Sequence, residues 1–288
     1  MMTPHEEENR EQIVNSPSYV LPELDTDFLQ SEEMRGLRMQ LEYTKPDLYL
    51  RRKKINSTII LFGGTQIVEE SKAQEHLDKL KHQREKEGDR PELLRAIHRA
   101  ERQLAKSKYY DEARAFASLV SRNSYNHDRY DHVIVTGGGP GIMEAGNRGA
   151  YDVGAPSIGL NITLPEEQHP NPYITPGLCF MFHYFAMRKM HFLMRAKALV
   201  VFPGGFGTFD ELFDALTLRQ TDRMQAIPII LYGREYWKQA INFEFLADEA
   251  VIRDEHLELL SFADSPTEAW KIIQKFHEAN PEAKVIAP

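Results

Sequence analysis

The stretch from Ala198 to Asp222 restricts the possible folds more than any other part of the chain. An apolar run at 198–202 passes into Pro-Gly-Gly-Phe-Gly-Thr at 203–208 and then into a helical pattern that opens with Phe209. Glycines accept positive φ and let backbone N–H groups approach a ligand closely. The following helix N-terminus adds unpaired donors and about half a positive charge. The stretch therefore predicts a buried strand, an anion-binding turn and a helix.

The same order occurs twice earlier in the chain. An apolar run at 131–136 leads into Gly-Gly-Gly-Pro-Gly at 137–141, and a helical pattern follows from Ile142. Another run, at 57–62, ends in Gly-Gly-Thr at 63–65. Short apolar runs rich in β-branched residues are typical of buried parallel strands. We therefore expect at least three strands that end in glycine turns.

Further apolar runs at 157–162, 178–182 and 227–232 alternate with helical patterns. Strands that alternate with helices predict the α/β class, with a parallel sheet covered by helices on both faces and right-handed crossovers. Ligands of such sheets bind outside the carboxyl ends of the strands, where all the glycine clusters lie. The functional site is therefore expected at that edge.

Composition excludes several classes of protein. The 288 residues are 42% hydrophobic and 27% charged, which is typical of a soluble globular chain with one large core. A net charge of −8 argues against a nucleic-acid binder. The single cysteine, Cys179, permits neither an internal disulfide nor a cysteine-rich zinc site, which favours a reducing, cytoplasmic location. An acidic N-terminus and the lack of a long apolar run predict a protein that is neither exported nor membrane-inserted.

The outer segments differ in pattern from the predicted core. Residues 1–30 show no sustained period and read as an irregular arm, whereas 31–43 reads as a short helix that Pro46 stops. The charged segment at 68–128 is helix-prone and is best interpreted as solvated helices. The predicted boundaries are an arm and short helix at 1–54, a core domain at 55–280 with a helical insertion at about 68–128, and a tail at 281–288.

The glycine clusters match neither of the two best-known nucleotide motifs. In the dinucleotide fingerprint the third glycine would fall on Ile142 or Glu144, and no phosphate-binding lysine follows either cluster. A generic strand-to-helix turn explains one cluster taken alone. Two clusters that open two helices of one sheet favour a nucleotide or sugar-phosphate ligand.

Glu211 has two interpretations. Thr208-Phe209-Asp210-Glu211 matches a capping box, in which the glutamate returns to the N-cap backbone N–H. A carboxylate one helical turn beyond an anion site is also placed to bind a sugar hydroxyl or to stabilise a cationic sugar.

Arg188 and Lys189 lie on a predicted helix at 184–195, where Arg188, His191 and Arg195 share one face. That face is either solvated or placed near the glycine turn, where an arginine binds phosphate or ribose. His183 and His191 are interpreted as surface or packing residues, because no third ligand stands at a metal-binding spacing. The sequence thus predicts no metal site.

Three motifs in this order resemble the LOG (Lonely Guy) family: Gly-Gly-Gly-Pro-Gly-Ile-Met-Glu-Ala at 137–145, Met-Arg-Lys at 187–189, and Pro-Gly-Gly-Phe-Gly-Thr-Phe-Asp-Glu at 203–211. The resemblance covers roughly Thr58 to Phe276. It implies a Rossmann-like doubly wound fold and hydrolysis of nucleoside 5′-monophosphates to free base and ribose 5-phosphate. Many members carry an older label of lysine decarboxylase.

The resemblance also assigns residue roles. It implies Glu211 and Arg188 as the catalytic pair. It implies substrate binding by the following residues: Gly138, Gly139, Lys189, Gly204, Gly205, Gly207 and Thr208. The N-terminal arm and the insertion at 68–128 depart from the smaller members, as does Gly-Gly-Thr at 63–65, where many members have Gly-Ser.

The sequence prediction is therefore an N-ribosyl hydrolase that acts on AMP or a cytokinin-type ribotide, needs no cofactor and forms a homo-oligomer. One alternative is a non-catalytic nucleotide-binding or sensing protein of the same fold, because the fold alone does not establish turnover. A further alternative, amino-acid decarboxylation, requires a pyridoxal phosphate Schiff-base lysine. The preferred base, the pathway and any general acid cannot be read from the sequence.

Overall fold

A computed structural model describes residues 2–126, 128–165 and 169–281. The chain divides into two compact units, 1–47 and 48–288, and each is described by itself. Among the described residues, no helix is both long enough and apolar enough to cross a bilayer.

The first unit is more helical than the sequence analysis expected. Its elements are α1 (Pro4–Val14), α2 (Thr26–Gln30), short 3₁₀ turns at Pro17–Tyr19 and Glu32–Met34, and the start of α3 (Arg35–Arg52). The expectation of an irregular arm over 1–30 was wrong for α1. This helix has no amphipathic periodicity that a sequence pattern could reveal. Its N-terminus is stabilised by a capping box between Thr3 and Glu6, with Pro4 at its first position.

The predicted helix stop at Pro46 was also wrong. Pro46 lies inside α3, which continues to Arg52. A proline removes one helical N–H donor and crowds the preceding turn, but tertiary packing can override that cost. Pro46 and Leu50 are both buried, so this part of α3 is stabilised by burial.

The main sheet among the described residues of the second unit has seven strands in the order β6-β5-β4-β1-β7-β8-β9. Each neighbouring pair is parallel. The strands are β1 (Thr58–Phe62), β4 (Val133–Thr136), β5 (Ser157–Ile162), β6 (Cys179–Phe182), β7 (Ala196–Val201), β8 (Ile229–Tyr232) and β9 (Leu260–Ala263). A separate antiparallel hairpin pairs β2 (Tyr125–Asn126) with β3 (Arg129–Tyr130).

Helices cover both faces of this sheet. The described helices that follow β1 are α4 (Glu70–Glu87), α5 (Pro91–Leu104), α6 (Lys108–Ser121), α7 (Ile142–Tyr151), α8 (Phe185–Met194), α9 (Phe206–Gln220), α10 (Arg234–Ala240), α11 (Phe243–Asp248) and α12 (Pro266–Ala279). On β1, Ile60 and Phe62 join a core with α8, α9 and α10, whereas Ile59 and Leu61 join a core with α6, α7 and α12. The alternation follows from the two-residue period of a strand and confirms the doubly wound α/β fold.

The segment predicted as an insertion contains α4, α5 and α6. α4 and α5 pack on each other through a small core of their own: Leu77, Leu93, Ile97 and Ala100. α6 instead packs on the sheet, with Phe116 and Val120 fully buried in the main core. The α4–α5 hairpin therefore has a core separate from that of the sheet, whereas α6 is the helix of the β1-to-β4 crossover that packs on the sheet.

The sequence analysis missed β9 at one edge of the sheet. Its four residues include Ser261, and its first three side chains are only partly buried. The strand follows directly on a 3₁₀ segment at Asp254–Leu259. A short edge strand without a continuous apolar run produces neither of the patterns that identified the central strands.

Candidate functional site

The glycine turns meet at the carboxyl edge of the sheet. From β1 the chain proceeds through β4, β5 and β6 on one side, and it then returns to place β7 on the other side of β1. The order of strands therefore reverses between β1 and β7, and a crevice forms at such a switch point. We refer to residues 63–67, 137–141 and 203–207 as the β1 turn, the β4 turn and the β7 turn.

The β7 turn leaves its outer side open. A Cβ atom on Gly204 would overlap the Thr208 side chain, but one on Gly205 or Gly207 would meet no atom within 4 Å. Phe206 is 97% exposed. None of the three glycines has positive φ, so the expected use of left-handed backbone here was wrong. Instead, glycine at 204 lets Thr208 pack closely against the turn, and glycines at 205 and 207 leave the outer side of the turn open.

Neighbouring groups hold the β7 turn in place. The Tyr236 hydroxyl donates to the Gly204 carbonyl at 2.6 Å, and the Gly64 N–H donates to the Pro203 carbonyl at 2.9 Å. α9 begins at Phe206 with Gly205 as its N-cap. Within the described part of the chain, the N–H groups of Phe206 and Gly207 have no backbone acceptor. Fixed, unpaired donors at a helix N-terminus suit an anion.

The start of α9 at Phe206 excludes the capping-box interpretation of Glu211. Thr208 is the third residue of the helix, and Glu211 is the sixth. Thr208 is only 7% exposed and packs beneath Gly204, so it supports the turn from below. The sequence interpretation failed because it placed the helix start at Phe209, three residues too late.

Glu211 lies in a half-buried position among charged groups. Burial raises the pKa of its carboxyl to about 7, against the opposing effect of Lys189 and Arg188. Asp210 and Asp214 raise it further. In the part of the chain that the structure describes, no residue donates a hydrogen bond to this carboxylate. A carboxyl that titrates near neutrality is available to accept or donate a proton or to bind a hydroxyl.

Lys189 is held by two carboxylates. Its Nζ lies 2.9 Å from Asp210 Oδ1 and 3.6 Å from Asp214 Oδ2. Burial opposes its charge, but Asp210, Glu211 and Asp214 outweigh burial and raise the pKa of the Lys189 ammonium. Lys189 is therefore a fixed positive charge beside Glu211.

Arg188 connects three parts of the edge. Its Nε donates to the Leu160 carbonyl of β5 at 2.8 Å. Its guanidinium lies against the β4 turn, where a Cβ on Gly137 would come within 2.5 Å of it. Burial lowers the pKa of Arg188, and the charge of Glu211 acts against that shift. The structure thus brings Arg188 and Glu211 into one charged group.

The solvated-face interpretation of α8 is wrong. His191 and Arg195 are each 5% exposed, and Arg188 is half-buried. The Arg188 guanidinium also lies 5.3 Å from the centre of the Phe192 ring. This face of α8 is therefore turned toward the sheet.

The β4 turn is built in a different way from the β7 turn. Gly138 and Gly141 have φ of 76° and 71°, a region that favours glycine. A Cβ on Gly138 would overlap the Asn161 side chain. Asn171 donates its backbone N–H to the Gly138 carbonyl at 2.8 Å and its side-chain amide to the Gly139 carbonyl at 3.1 Å. Gly138 and Gly139 are thus fixed in a rigid wall of the site.

The β1 turn links the other two. The Gly64 carbonyl accepts from the Ile142 N–H at 3.2 Å, while the Gly64 N–H donates to Pro203 as described above. A cavity of about 300 Å³ lies between the β1 turn and the first half of the β7 turn, and Gln103, Lys106 and Tyr236 complete its lining. We call it the glycine-turn cavity.

Several of these residues were missed in the sequence analysis. Asn161 and Asn171 belong to none of the three motifs, and Tyr236 lies on a helix well beyond the β7 turn. No local pattern marks them, because each acts through a long-range contact. Among the described residues, no group of three or more histidine, cysteine, aspartate or glutamate side chains is placed to hold a metal ion.

Comparisons with known proteins add a family match. Residues 143–273 match the family model described as "Possible lysine decarboxylase". The match contains Arg188, Lys189, the β7 turn and Glu211, and it begins just after the β4 turn. No curated protein matched the chain.

Solved structures show more distant similarity. The X-ray structure of TM1055 is 20% identical, with a TM-score of 0.40 over 59% of this chain and 89% of that chain. The molybdenum cofactor carrier protein MCP from Chlamydomonas reinhardtii is 16% identical, with a TM-score of 0.39 over 58% of this chain and 87% of that chain. A structure titled as the Moco carrier protein of the same organism is 15% identical, with a TM-score of 0.43 over 77% and 99%. The family match at 143–273 carries the older decarboxylase label of the LOG family, which the three motifs of this chain resemble.

Proposed function

We propose that this protein hydrolyses the N-glycosidic bond of a purine nucleoside 5′-monophosphate, with AMP as the first candidate. Water adds to C1′ of the ribose, the bond from C1′ to the base breaks, and the base leaves with a proton as ribose 5-phosphate forms. The observation that carries the proposal is the placement of Arg188 and Glu211 within the first two turns of α8 and α9 respectively, beside an open helix N-terminus.

The phosphate is assigned to the β7 turn. The backbone N–H groups of Gly204, Gly205, Phe206 and Gly207 and the positive end of the α9 dipole provide donors and charge for a dianion. Thr208 contributes by holding Gly204 from below. A bound phosphate anchors the sugar, and this remote binding energy helps to orient the reacting bond.

Glu211 is assigned to the ribose. As the base leaves, positive charge develops on the sugar, and a nearby carboxylate stabilises it more strongly in a site with little water than in bulk solvent. In its ionised form Glu211 also accepts hydrogen bonds from ribose hydroxyls and orients the attacking water. Arg188 and Lys189 favour this ionised form, since both oppose the effect of burial on its pKa.

The remaining predicted residues form the frame of this site. The Arg188 guanidinium lies against the β4 turn, which contains Gly138 and Gly139, and it interacts with the Glu211 charge. Self-association into a homo-oligomer stays a prediction.

The decarboxylase description is disfavoured by the chemistry of Lys189. A Schiff-base lysine reacts as a neutral amine with a lowered pKa. Two aspartates hold Lys189 and raise its pKa instead.

The deciding experiment measures adenine release from AMP by the wild-type protein and by Glu211→Gln. We expect the variant to fold normally and to lose about 10²- to 10³-fold in kcat, the scale of removing one charge-stabilising group. Glu92→Gln on the exposed side of α5 is the matched control and should keep full activity. AMP binding without adenine release by the wild type would instead identify a nucleotide sensor.

A further inference from the structure

The glycine-turn cavity has one wall that neither the family resemblance nor the proposed function assigns. That wall consists of Gln103, near the end of α5, and Lys106, in the short connection to α6. Both side chains are half-buried. They belong to the helical segment at 68–128 that distinguishes this chain from the smaller family members.

Lys106 has no acidic partner in this cavity. Its Nζ makes one long hydrogen bond, 3.4 Å, to the Arg102 carbonyl. In the described ranges no carboxylate comes within 4 Å of it, and no aspartate or glutamate lines the cavity. The ammonium therefore keeps donors available for a ligand.

Another part of the cavity lining carries partial charge of the same sign. Gly204 and Gly205 line it, and Gly205 is the N-cap of α9, where the helix dipole places partial positive charge. Thr65 and Gln66 of the β1 turn add a hydroxyl and an amide. Two positive groups in the lining of one open cavity favour a bound anion, and phosphate matches the available donors.

We propose that Lys106 and Gln103 bind the 5′-phosphate of the substrate and select nucleotides over nucleosides. This inference rests on the proposed function, because it assigns the phosphate end of the same site. The α4–α5 hairpin has a corresponding structural role, since its core of Leu77, Leu93, Ile97 and Ala100 fixes the end of α5 that carries Gln103.

The kinetic test compares Lys106→Met with the wild type. Removing a charge-assisted hydrogen bond that is the same in ground and transition states should raise the KM for AMP about tenfold and leave kcat nearly unchanged. Adenosine lacks the phosphate, so its rate of hydrolysis should be the same in the variant and the wild type. Lys106→Arg should restore most of the affinity. Lys86→Met, an exposed lysine on α4, is the matched control.

A binding test does not depend on turnover. Calorimetric titration with ribose 5-phosphate should show affinity about tenfold lower for Lys106→Met and a smaller loss for Gln103→Ala, with wild-type affinity for Lys86→Met. Thermal unfolding of each variant verifies that the fold is intact.

The two proposals fail in different ways. If ribose 5-phosphate binding depends on Lys106 but no nucleotide is hydrolysed, the anion site stands and the hydrolase assignment falls. If AMP is hydrolysed and Lys106→Met binds ribose 5-phosphate as tightly as the wild type, the inference about Lys106 is overturned. It is also overturned if the wild type binds no ribose 5-phosphate.

Discussion

The β4 turn and the β7 turn have similar sequences, Gly-Gly-Gly-Pro-Gly and Pro-Gly-Gly-Phe-Gly, but they use glycine for different purposes. In the β4 turn two glycines have positive φ, and Asn171 binds the carbonyls of Gly138 and Gly139. In the β7 turn no glycine has positive φ, and two of them face open space. The first turn is a rigid support, and the second is a surface on which a ligand can be placed. A glycine count alone does not separate these roles.

The largest effect is expected at the support. Gly138→Ala would force positive φ on alanine and overlap Asn161, so we expect a loss of about 3 kcal/mol in the free energy of unfolding. Gly154→Ala is the matched control, because φ there is 70° and no atom lies within 4 Å of the added Cβ. It should cost about 1 kcal/mol, from backbone strain alone. Urea unfolding measures both. Equal losses of unfolding free energy in the two variants would show that the overlap with Asn161 does not contribute to the destabilisation.

A smaller effect is expected from the charge beside the open turn. The folded-state pKa of Glu211 is raised from 4.5 to about 7, so the native state binds more protons than the unfolded state between these values. Protonated Glu211 therefore contributes to the free energy of unfolding. This contribution is fully present below pH 4.5 and is lost as the pH rises through 7. The free energy of unfolding of Glu211→Gln, measured relative to the wild type, should therefore increase by about 1 to 2 kcal/mol from pH 5 to pH 8. Urea unfolding at both pH values tests this. A constant difference would contradict the raised pKa.

The smallest effect on stability is expected on the open turn itself. Gly207 is the second residue of α9 and has room for a Cβ, so Gly207→Ala should stabilise the protein by about 0.5 kcal/mol. The added methyl group would occupy the face assigned to phosphate, and the KM for AMP should rise severalfold. Unfolding and AMP kinetics on one preparation measure the two effects. An unchanged KM would contradict the assignment of the phosphate to this face.

The sequence predicted the parts of the fold that local patterns determine. β1 and β7 are continuous apolar runs that end in glycine, so their place in the core could be read directly. α1, the passage of α3 through Pro46, and β9 could not be read, because a capping interaction, tertiary burial and an edge position respectively determine them. Each depends on information outside the periodicity of the segment.

The candidate site shows the same division. Arg188 and Glu211 were identified by resemblance, and the structure brings them together across α8 and α9. Only the structure excluded the capping role of Glu211, because the first residue of α9 decides it. Lys106 was not singled out at all. It lies about a hundred residues before the β7 turn in sequence and reaches the cavity through the packing of the α4–α5 hairpin.

The peptide at Gly64 has a consequence for how this edge responds to load. Its N–H donates to the Pro203 carbonyl in the β7 turn, and its carbonyl accepts from the N–H of Ile142, the first residue of α7, so the two peptide planes that meet at one Cα join the turns that follow β4 and β7. A ligand that pulls on one turn must change the backbone dihedral angles of Gly64 or strain its hydrogen bond to the other turn. The two halves of the sheet are therefore mechanically coupled at their shared rim.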